Sequence, residues 1–280
     1  AEDGMRDERE SRGLGDVYKR QDLRLAVLID ADNVPYANVK AMLAEIARYG
    51  TPTIKRIYGD WTQPTLSGWK KVLLENAVTP IQQYSYTTGK NSTDSAMIID
   101  AMDILYTNRV DGFCLVSSDC DFTRLATRLR EAGKLVIGIG EQKTPTPFIS
   151  ACDRFIYLEI LSDDKKKKQR SMKARGSQPA LEEPGIGMPA AAVRQKGNRL
   201  PQEVSEMIIV SVNDLADENG WAFLGDVGNL LLKKQPSFDS RNYGYQKLSQ
   251  LIQAMDRFEI EPRDTANAHV KHIFIREKAS

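Results

Sequence analysis

Short apolar runs alternate with longer segments whose apolar residues recur every three or four positions between residues 25 and 158. The short runs predict β-strands, and the longer segments predict amphipathic helices. Candidate strands cover 25–29, 53–58, 78–84, 112–117, 134–139 and 154–158. The helical stripes between them are Val39/Met42/Leu43/Ile46, Leu66/Trp69/Val72/Leu73, Met97/Ile98/Ala101/Met102/Leu105 and Phe122/Leu125/Ala126/Leu129, with Gly133 ending the last helix. This alternation predicts an α/β domain over 23–161, with a parallel sheet flanked by helices.

The pattern changes after residue 161. Residues 162–198 contain four consecutive lysines and a stretch rich in Pro, Gly, Ala and Gln, which predicts a flexible basic linker. Its basic residues are interpreted either as solvated charge or as an arm that attracts phosphate. Residues 199–276 then show three helical stripes followed by two alternating runs, which are typical of a small winged-helix domain of the α+β class. Such domains usually bind nucleic acid or protein.

The composition is that of an ordinary globular protein, with 41% apolar and 28% charged residues in a chain of 280. A net charge of +1 predicts that any nucleic-acid binding comes from local patches. No apolar run approaches the roughly 18 residues of a membrane span, so we expect a cytoplasmic protein without a membrane partner. Residues 1–22 lack periodicity and are predicted to be a disordered or non-native tail. Cys114, Cys120 and Cys152 are expected to be buried free thiols.

Carboxylates follow the first and fourth predicted strands. Asp30 ends the run 25–29, and Asp119 and Asp121 come directly after 112–117. Because the carboxyl ends of parallel strands lie at one edge of an open sheet, we expect these acids to converge there. A cation would relieve their mutual repulsion, and oxygen ligands favour Mg²⁺ or Mn²⁺. The pattern therefore predicts a metal-dependent enzyme that acts on phosphate esters.

Other residues with chemical potential have structural explanations beside them. Asp94 opens the third helical stripe, where it is either a further metal-binding acid or an N-cap. Asp121 can likewise cap the helix that begins near Phe122. The two histidines, His269 and His272, lie in the last alternating run with the spacing of a hairpin face, which favours a structural role.

Three motifs resemble those of the NYN family, a branch of the PIN-like nucleases. They are LIDADNV at 28–34, KNSTDSAMIID at 90–100 and VSSDCDF at 116–122. The resemblance implies a PIN-like fold and a ribonuclease whose Mg²⁺ or Mn²⁺ is held by four acids, with an asparagine supporting the first acid's loop or the substrate. Those residues are Asp30, Asp94, Asp119 and Asp121, with Asn33. Asp32 is expected to face away from Asp30, and Asp100 lies too far along its helix to share the metal of Asp94 directly.

Residues 199–276 resemble the OST-HTH, or LOTUS, module. The match rests on Leu200-Pro201 and on the segments 221–228 and 243–252. The resemblance implies binding of single-stranded or structured RNA, or docking of a protein partner. Tyr243 and Tyr245 would offer stacking rings and Lys247 a phosphate contact, although core packing is the more common role of such rings. An NYN domain followed by this module is a combination found in bacterial proteins of the LabA-like type.

Two alternatives to a metal-dependent ribonuclease stay open. Asp30 and Asp32 after an apolar strand also fit the nucleophile loop of haloacid-dehalogenase-like phosphatases, for which Lys134 is the candidate lysine. A non-catalytic RNA-binding or adaptor protein with a vestigial acidic site is the other. The ribonuclease hypothesis has the first domain cut RNA phosphodiester bonds while the second selects the RNA or a partner.

Overall fold

The computed structural model describes residues 23–84, 92–161, 200–264 and 271–278. The chain divides into two compact units on either side of the boundary between Ser162 and Asp163. The predicted tail at 1–22, the predicted linker at 162–198, Lys90 and His269 lie outside the described residues. Within the described part of the chain, no helix is long and apolar enough to cross a membrane.

The first unit is built on six parallel strands. Its elements in chain order are β1 (Arg24–Asp30), α1 (Val39–Ile46), β2 (Thr51–Gly59), α2 (Trp69–Asn76), β3 (Thr79–Gln82), α3 (Ser92–Thr107), β4 (Gly112–Val116), α4 (Thr123–Glu131), β5 (Leu135–Gly140), α5 (Thr146–Ala151) and β6 (Arg154–Tyr157). Short 3₁₀ turns precede α1, α2 and α4. The predicted α/β architecture is confirmed.

Both faces of this sheet are covered, which explains why its strands are continuous apolar runs. Leu25, Val27 and Ile29 of β1 pack on the side of α1 and α2. Ala26 and Leu28 point to the opposite face, where α3, α4 and α5 lie. Gly133 has a φ of +73° just after α4, a left-handed conformation that favours glycine, so it ends that helix as the sequence predicts.

The sheet order is β3-β2-β1-β4-β5-β6, so the direction of winding reverses between β1 and β4. In open α/β sheets, the crevice at the carboxyl ends of the two strands that flank such a reversal is the usual ligand site. Asp30 is the last residue of β1, and Ser117 is the first residue after β4. The fold therefore places both predicted acidic segments at the switch point.

The second unit contains helices and an antiparallel sheet. Its elements are α6 (Gln202–Leu215), β7 (Ala222–Phe223), α7 (Leu224–Lys234), α8 (Leu248–Ala254), β8 (Phe258–Asp264) and β9 (Lys271–Glu277). The expected two-stranded hairpin is in fact a sheet of order β7-β9-β8. The additional strand has only two residues, and so short a segment carries no alternating pattern. Ile208, Val212, Leu231 and Leu251 are among the fully buried core residues.

The three cysteines are free, but only two of them are buried. Burial raises the pKa of Cys152 to about 12 and that of Cys114 further, so both thiols stay protonated. Cys120 is exposed, which corrects the expectation that all three are buried. Its position explains this difference, because it begins the 3₁₀ turn that follows β4 instead of belonging to the strand.

Candidate active site

Asp30 is almost fully buried at the end of β1, with 1% of its surface exposed. One carboxylate oxygen accepts the backbone N–H of Asp32 at 3.0 Å. The other accepts the amide of Asn33 and, at 3.0 Å, the hydroxyl of Ser117. Burial raises the pKa of Asp30, and these hydrogen bonds oppose the rise only in part. The carboxylate is thus held in one orientation, in a place where its negative charge is unfavourable.

Asp119 and Asp121 lie directly beyond the same serine. The Oγ atom of Ser117 accepts the backbone N–H of Asp119 at 3.1 Å, and Oδ1 of Asp119 accepts the N–H of Asp121 at 3.0 Å. Asp119 therefore caps the 3₁₀ turn Cys120–Phe122. Asp121, considered from the sequence as a cap of the helix near Phe122, lies inside this turn, and the N-cap residue of α4 is Phe122, without a side-chain capping hydrogen bond. One ligand atom each of Asp119, Cys120 and Asp121 lies within 4.8 Å of the others.

Asp94 reaches the same region from a different element. It is the third residue of α3 and lies inside the first turn, instead of preceding the helix as an N-cap does. Its pKa is raised to about 6, first by burial and then by four negative charges. Those charges belong to Asp30, Asp119, Asp121 and Asp32. The charge of Asp32 also raises the pKa of Asp30, so Asp32 is an electrostatic neighbour of the site although it was expected to face away.

The chemistry of these donors fits a hard divalent cation. Oxygen ligands predominate, and among the described residues no lysine or arginine forms an ion pair with Asp30 or Asp94. Asp30 and Asp94 lie outside the tight group formed by residues 119–121, so the acids interact through their charges over a longer range. Mg²⁺ usually keeps several water ligands, and a partly hydrated ion suits such spacing. The exposed thiol of Cys120 is the one soft donor in the tight group.

Other carboxylates near this edge have different partners. Asp100, on α3, accepts hydrogen bonds from Tyr58 and Arg56 of β2. Asp60 follows β2 and is buried, but its Oδ1 accepts bonds from Thr62 and, at 2.9 Å, from Gln82. Position at this edge alone therefore does not make a carboxylate part of the acid cluster.

The structure adds two residues that the sequence did not single out. Ser117 links Asp30 to Asp119, and its only sequence signal is its place at a strand exit beside the acids. Tyr58 pairs with Asp30 in the β1–β2 register, and its carbonyl accepts the N–H of Ala31 at 3.0 Å. Neither contact follows from periodicity, because each joins residues that are distant in the chain.

Lys134 does not support the phosphatase alternative. Its ammonium group donates to Asn108 at 2.6 Å and to the carbonyl of Val110 at 2.9 Å. These residues precede β4, and Lys134 itself precedes β5, so the contact lies at the amino edge of the parallel sheet. Asp30 is at the carboxyl edge, and the lysine proposed to accompany it is therefore at the wrong end of the strands.

The predicted contact residues of the second unit differ in their exposure to solvent. Tyr243 and Tyr245 are half-buried against the core of that unit, and the ring of Tyr243 lies 6.1 Å from that of Phe238. Lys247 is exposed. Gly244 has a φ of +88°, a left-handed conformation that favours glycine and allows a tight turn between the two tyrosines. His272 packs 4.8 Å from the ring of Phe223, in keeping with a structural role.

A six-stranded parallel sheet flanked by helices, with acids at its switch point, defines a PIN-like α/β domain. Comparison with family models gives the more specific result. The model described as "NYN domain" matches residues 24–159, and the model described as "OST-HTH/LOTUS domain" matches residues 199–270. The chain therefore carries an NYN domain followed by an OST-HTH/LOTUS domain, as its motifs predict.

A search of curated proteins gave no match. Among solved structures, a protein of unknown function, VPA0982 from Vibrio parahaemolyticus RIMD 2210633, is 20% identical, and the match covers 48% of this chain and 92% of that one with a TM-score of 0.41. An uncharacterized protein from locus NE0665 of Nitrosomonas europaea is 34% identical over 36% of this chain and 94% of its own (TM-score 0.27). A 175–257 fragment from Chromobacterium violaceum is 30% identical over 30% and 89%, respectively (TM-score 0.24).

Proposed function

We propose that this protein is a ribonuclease that hydrolyses RNA phosphodiester bonds with the help of Mg²⁺ or Mn²⁺. The observation that carries the proposal is the position of Asp30 and Asp119 at the carboxyl ends of β1 and β4, where the hydroxyl of Ser117 links them at the switch point of the sheet. The raised pKa of Asp94, caused in part by the charges of these acids, adds to it. Groups with strongly shifted pKa values concentrate at functional sites. NYN domains are generally ribonuclease-like, which supports the same conclusion.

In this proposal, Asp30, Asp94, Asp119 and Asp121 hold the ion. A bound divalent ion supplies an activated water for in-line attack and stabilises the oxygen that leaves. Asn33 and Ser117 fix the orientation of the Asp30 carboxylate through their hydrogen bonds. Asp94 is largely ionised above its pKa of about 6, so the acid cluster can take up a cation at neutral pH.

The OST-HTH/LOTUS domain is proposed to bind the RNA or a protein partner. Lys247 is the exposed candidate for a phosphate contact. Tyr243 and Tyr245 keep part of each ring accessible for stacking, although much of their surface packs on the core. Two modules on one chain raise the local concentration of RNA at the cutting site when their linker can span both.

Cleavage of labelled single-stranded RNA by the purified chain in Mn²⁺ tests the proposal. We expect Asp30→Asn and Asp119→Asn each to reduce the rate by about 100-fold or more, since even outer-shell changes at metal sites cost about 10–100-fold. The matched control is Asp60→Asn, because Asp60 is a buried acid at the same edge with neutral partners in Thr62 and Gln82. Equal activity of Asp30→Asn and Asp60→Asn would contradict the assignment.

A non-catalytic RNA-binding adaptor is the second candidate. The capping role of Asp119 favours it, because that residue has a structural function even without a metal. The same experiment separates the two functions. RNA that is bound but stays intact in Mg²⁺ and in Mn²⁺ would favour the adaptor, whereas cleavage that requires Asp30 would favour the enzyme.

A further inference from the structure

One polar cluster joins β2 to α3, the helix whose first turn contains Asp94. Both carboxylate oxygens of Asp100 are used: Oδ1 accepts the guanidinium of Arg56, and Oδ2 accepts the hydroxyl of Tyr58. Tyr58 is fully buried, while the Asp100 and Arg56 side chains are 20% and 34% exposed. We call these three residues the β2–α3 clasp. Burial and Asp100 raise the pKa of Tyr58 above its usual value, so its hydroxyl stays protonated and keeps donating.

The clasp connects α3, which carries Asp94, to β2, the strand next to the one that ends in Asp30. Tyr58 is the register partner of Asp30, and the next residue of β1, Ala31, donates its N–H to the Tyr58 carbonyl. Asp100 is six residues after Asp94 on α3, about 9 Å along the helix axis at 1.5 Å per residue. A contact at Asp100 therefore restricts the position of the helix whose first turn holds Asp94.

Repulsion between Asp94 and the other acids gives a reason for restricting the position of α3. The charges of Asp30, Asp119, Asp121 and Asp32 all act unfavourably on ionised Asp94. Without a cation, we expect this repulsion to favour displacement of the first turn of α3 from the carboxyl edge. Apolar contacts of Met97 and Ala101 hold the helix on the sheet, but they are non-directional. A charged hydrogen-bonded pair fixes direction as well as distance. Partly buried ion pairs add little stability on average, so stability alone is a poor reason for the cluster.

We propose that Arg56, Tyr58 and Asp100 are positioning residues that hold α3 so that Asp94 stays within reach of the ion bound by the other acids. The inference rests on the proposed metal site. It concerns the placement of Asp94, and it would hold for a protein that binds the metal without cutting RNA.

The test uses the full-length chain with Asp100→Asn and Tyr58→Phe. The control is Asp111→Asn, which removes an ion pair with Arg24 (3.2 Å) at the amino edge of the same sheet. The first measurement is hydrogen exchange of residues 93–100 in the metal-free protein, and the second is the affinity for Mn²⁺ alone by calorimetry. We expect Asp100→Asn to speed exchange in the first turns of α3 and to weaken Mn²⁺ binding by about 10–100-fold, the usual loss when a residue that supports a metal ligand is changed. Tyr58→Phe should act in the same direction with a smaller effect, and Asp111→Asn should change neither.

Saturating Mn²⁺ provides a further distinction. Cleavage by Asp100→Asn should recover toward the wild-type rate at high Mn²⁺, because the ligand itself remains, whereas cleavage by Asp94→Asn should not. Unchanged exchange and unchanged Mn²⁺ affinity in folded Asp100→Asn and Tyr58→Phe would overturn the positioning role. If the wild-type chain binds no Mn²⁺, the proposed metal site fails, and the exchange measurement alone then decides whether the clasp holds α3. Should Asp100→Asn not fold, Tyr58→Phe, which removes a single oxygen, decides both measurements.

Discussion

Both edges of the six-stranded sheet carry aspartates, yet their environments are opposite. At the amino edge, Asp111 pairs with Arg24 at 3.2 Å and Asp153 pairs with Arg130 at 2.9 Å. Hydrogen bonds from Arg24 lower the pKa of Asp111. At the carboxyl edge, burial and neighbouring acids raise the pKa values of Asp30 and Asp94.

The two edges therefore differ in whether ionisation of a carboxylate stabilises or destabilises the folded protein. Ionised Asp111 is more favourable in the folded protein than in the unfolded chain, while ionised Asp30 and Asp94 are less favourable. A sheet edge that concentrates uncompensated carboxylates is expected where a cation binds. The comparison therefore supports the proposed metal site at the carboxyl edge.

The largest effect that we expect on the metal-free protein is a change in melting temperature when one aspartate is neutralised. The change should have opposite signs at the two edges of the sheet. At pH 7.5, Asp94→Asn should raise the melting temperature by about 2–4 °C, the change that accompanies roughly 1 kcal/mol in a chain of this size, because it removes a repelled charge. Asp111→Asn should lower it by a smaller amount, because that ion pair is solvent-exposed. Differential scanning calorimetry with and without EDTA measures both. Destabilisation of the metal-free protein by Asp94→Asn would contradict the proposed difference between the two edges.

A somewhat smaller effect is expected in the pH dependence of stability. The pKa of Asp94 is about 6 in the folded protein and near the ordinary aspartate value of 3.8 in the unfolded chain, so the folded state binds the proton more tightly. The free energy of unfolding should therefore fall as pH rises from about 4 to 6, and this fall should be reduced in Asp94→Asn. Asp111 has the opposite sign: its contribution is present above the unfolded pKa and is lost as pH falls through the lowered folded pKa. Urea denaturation at several pH values checks both signs, and parallel curves for wild type and Asp94→Asn would refute the first.

The smallest effect should come from Cys120. Its sulfur lies 3.9 Å from Oδ1 of Asp121, but a thiol is a poor ligand for Mg²⁺ or Mn²⁺. Cys120→Ser should thus leave Mg²⁺-supported cleavage within about twofold of wild type, as expected for a surface substitution. Steady-state rates in Mg²⁺ and in Cd²⁺ measure this, with the Cd²⁺ rate changing more. A large loss in Mg²⁺ would make the thiol part of the site.

The sequence predicts the parallel sheet and the position of its acids because both depend on local pattern. Apolar runs mark buried strands, and Asp30 and Asp119 directly follow two of them. The same local pattern argues against Lys134 as a partner of Asp30, because a residue at the start of a parallel strand lies at the opposite edge from a residue at the end of one. The resemblance to the family motifs additionally predicts that Asp94 belongs to the acid cluster, and the helix of Asp94 approaches the same edge.

The remaining features depend on contacts between distant segments. The hydroxyl of Ser117 and the carboxylate of Asp30 are 87 residues apart in the chain, and Arg56 and Asp100 are 44 apart. Each of these residues has an ordinary local context, so no periodicity distinguishes it. β7 is missed for a different reason, because two residues are too few to alternate.

A crystal grown with millimolar Mn²⁺ and measured at the manganese absorption edge tests the central claim most directly. We expect an anomalous peak at the carboxyl ends of β1 and β4, bounded by Asp30, Asp94 and Asp119, that is lost in a crystal of Asp94→Asn. Anomalous density only at other surface carboxylates, with this edge of the sheet empty, would contradict the account.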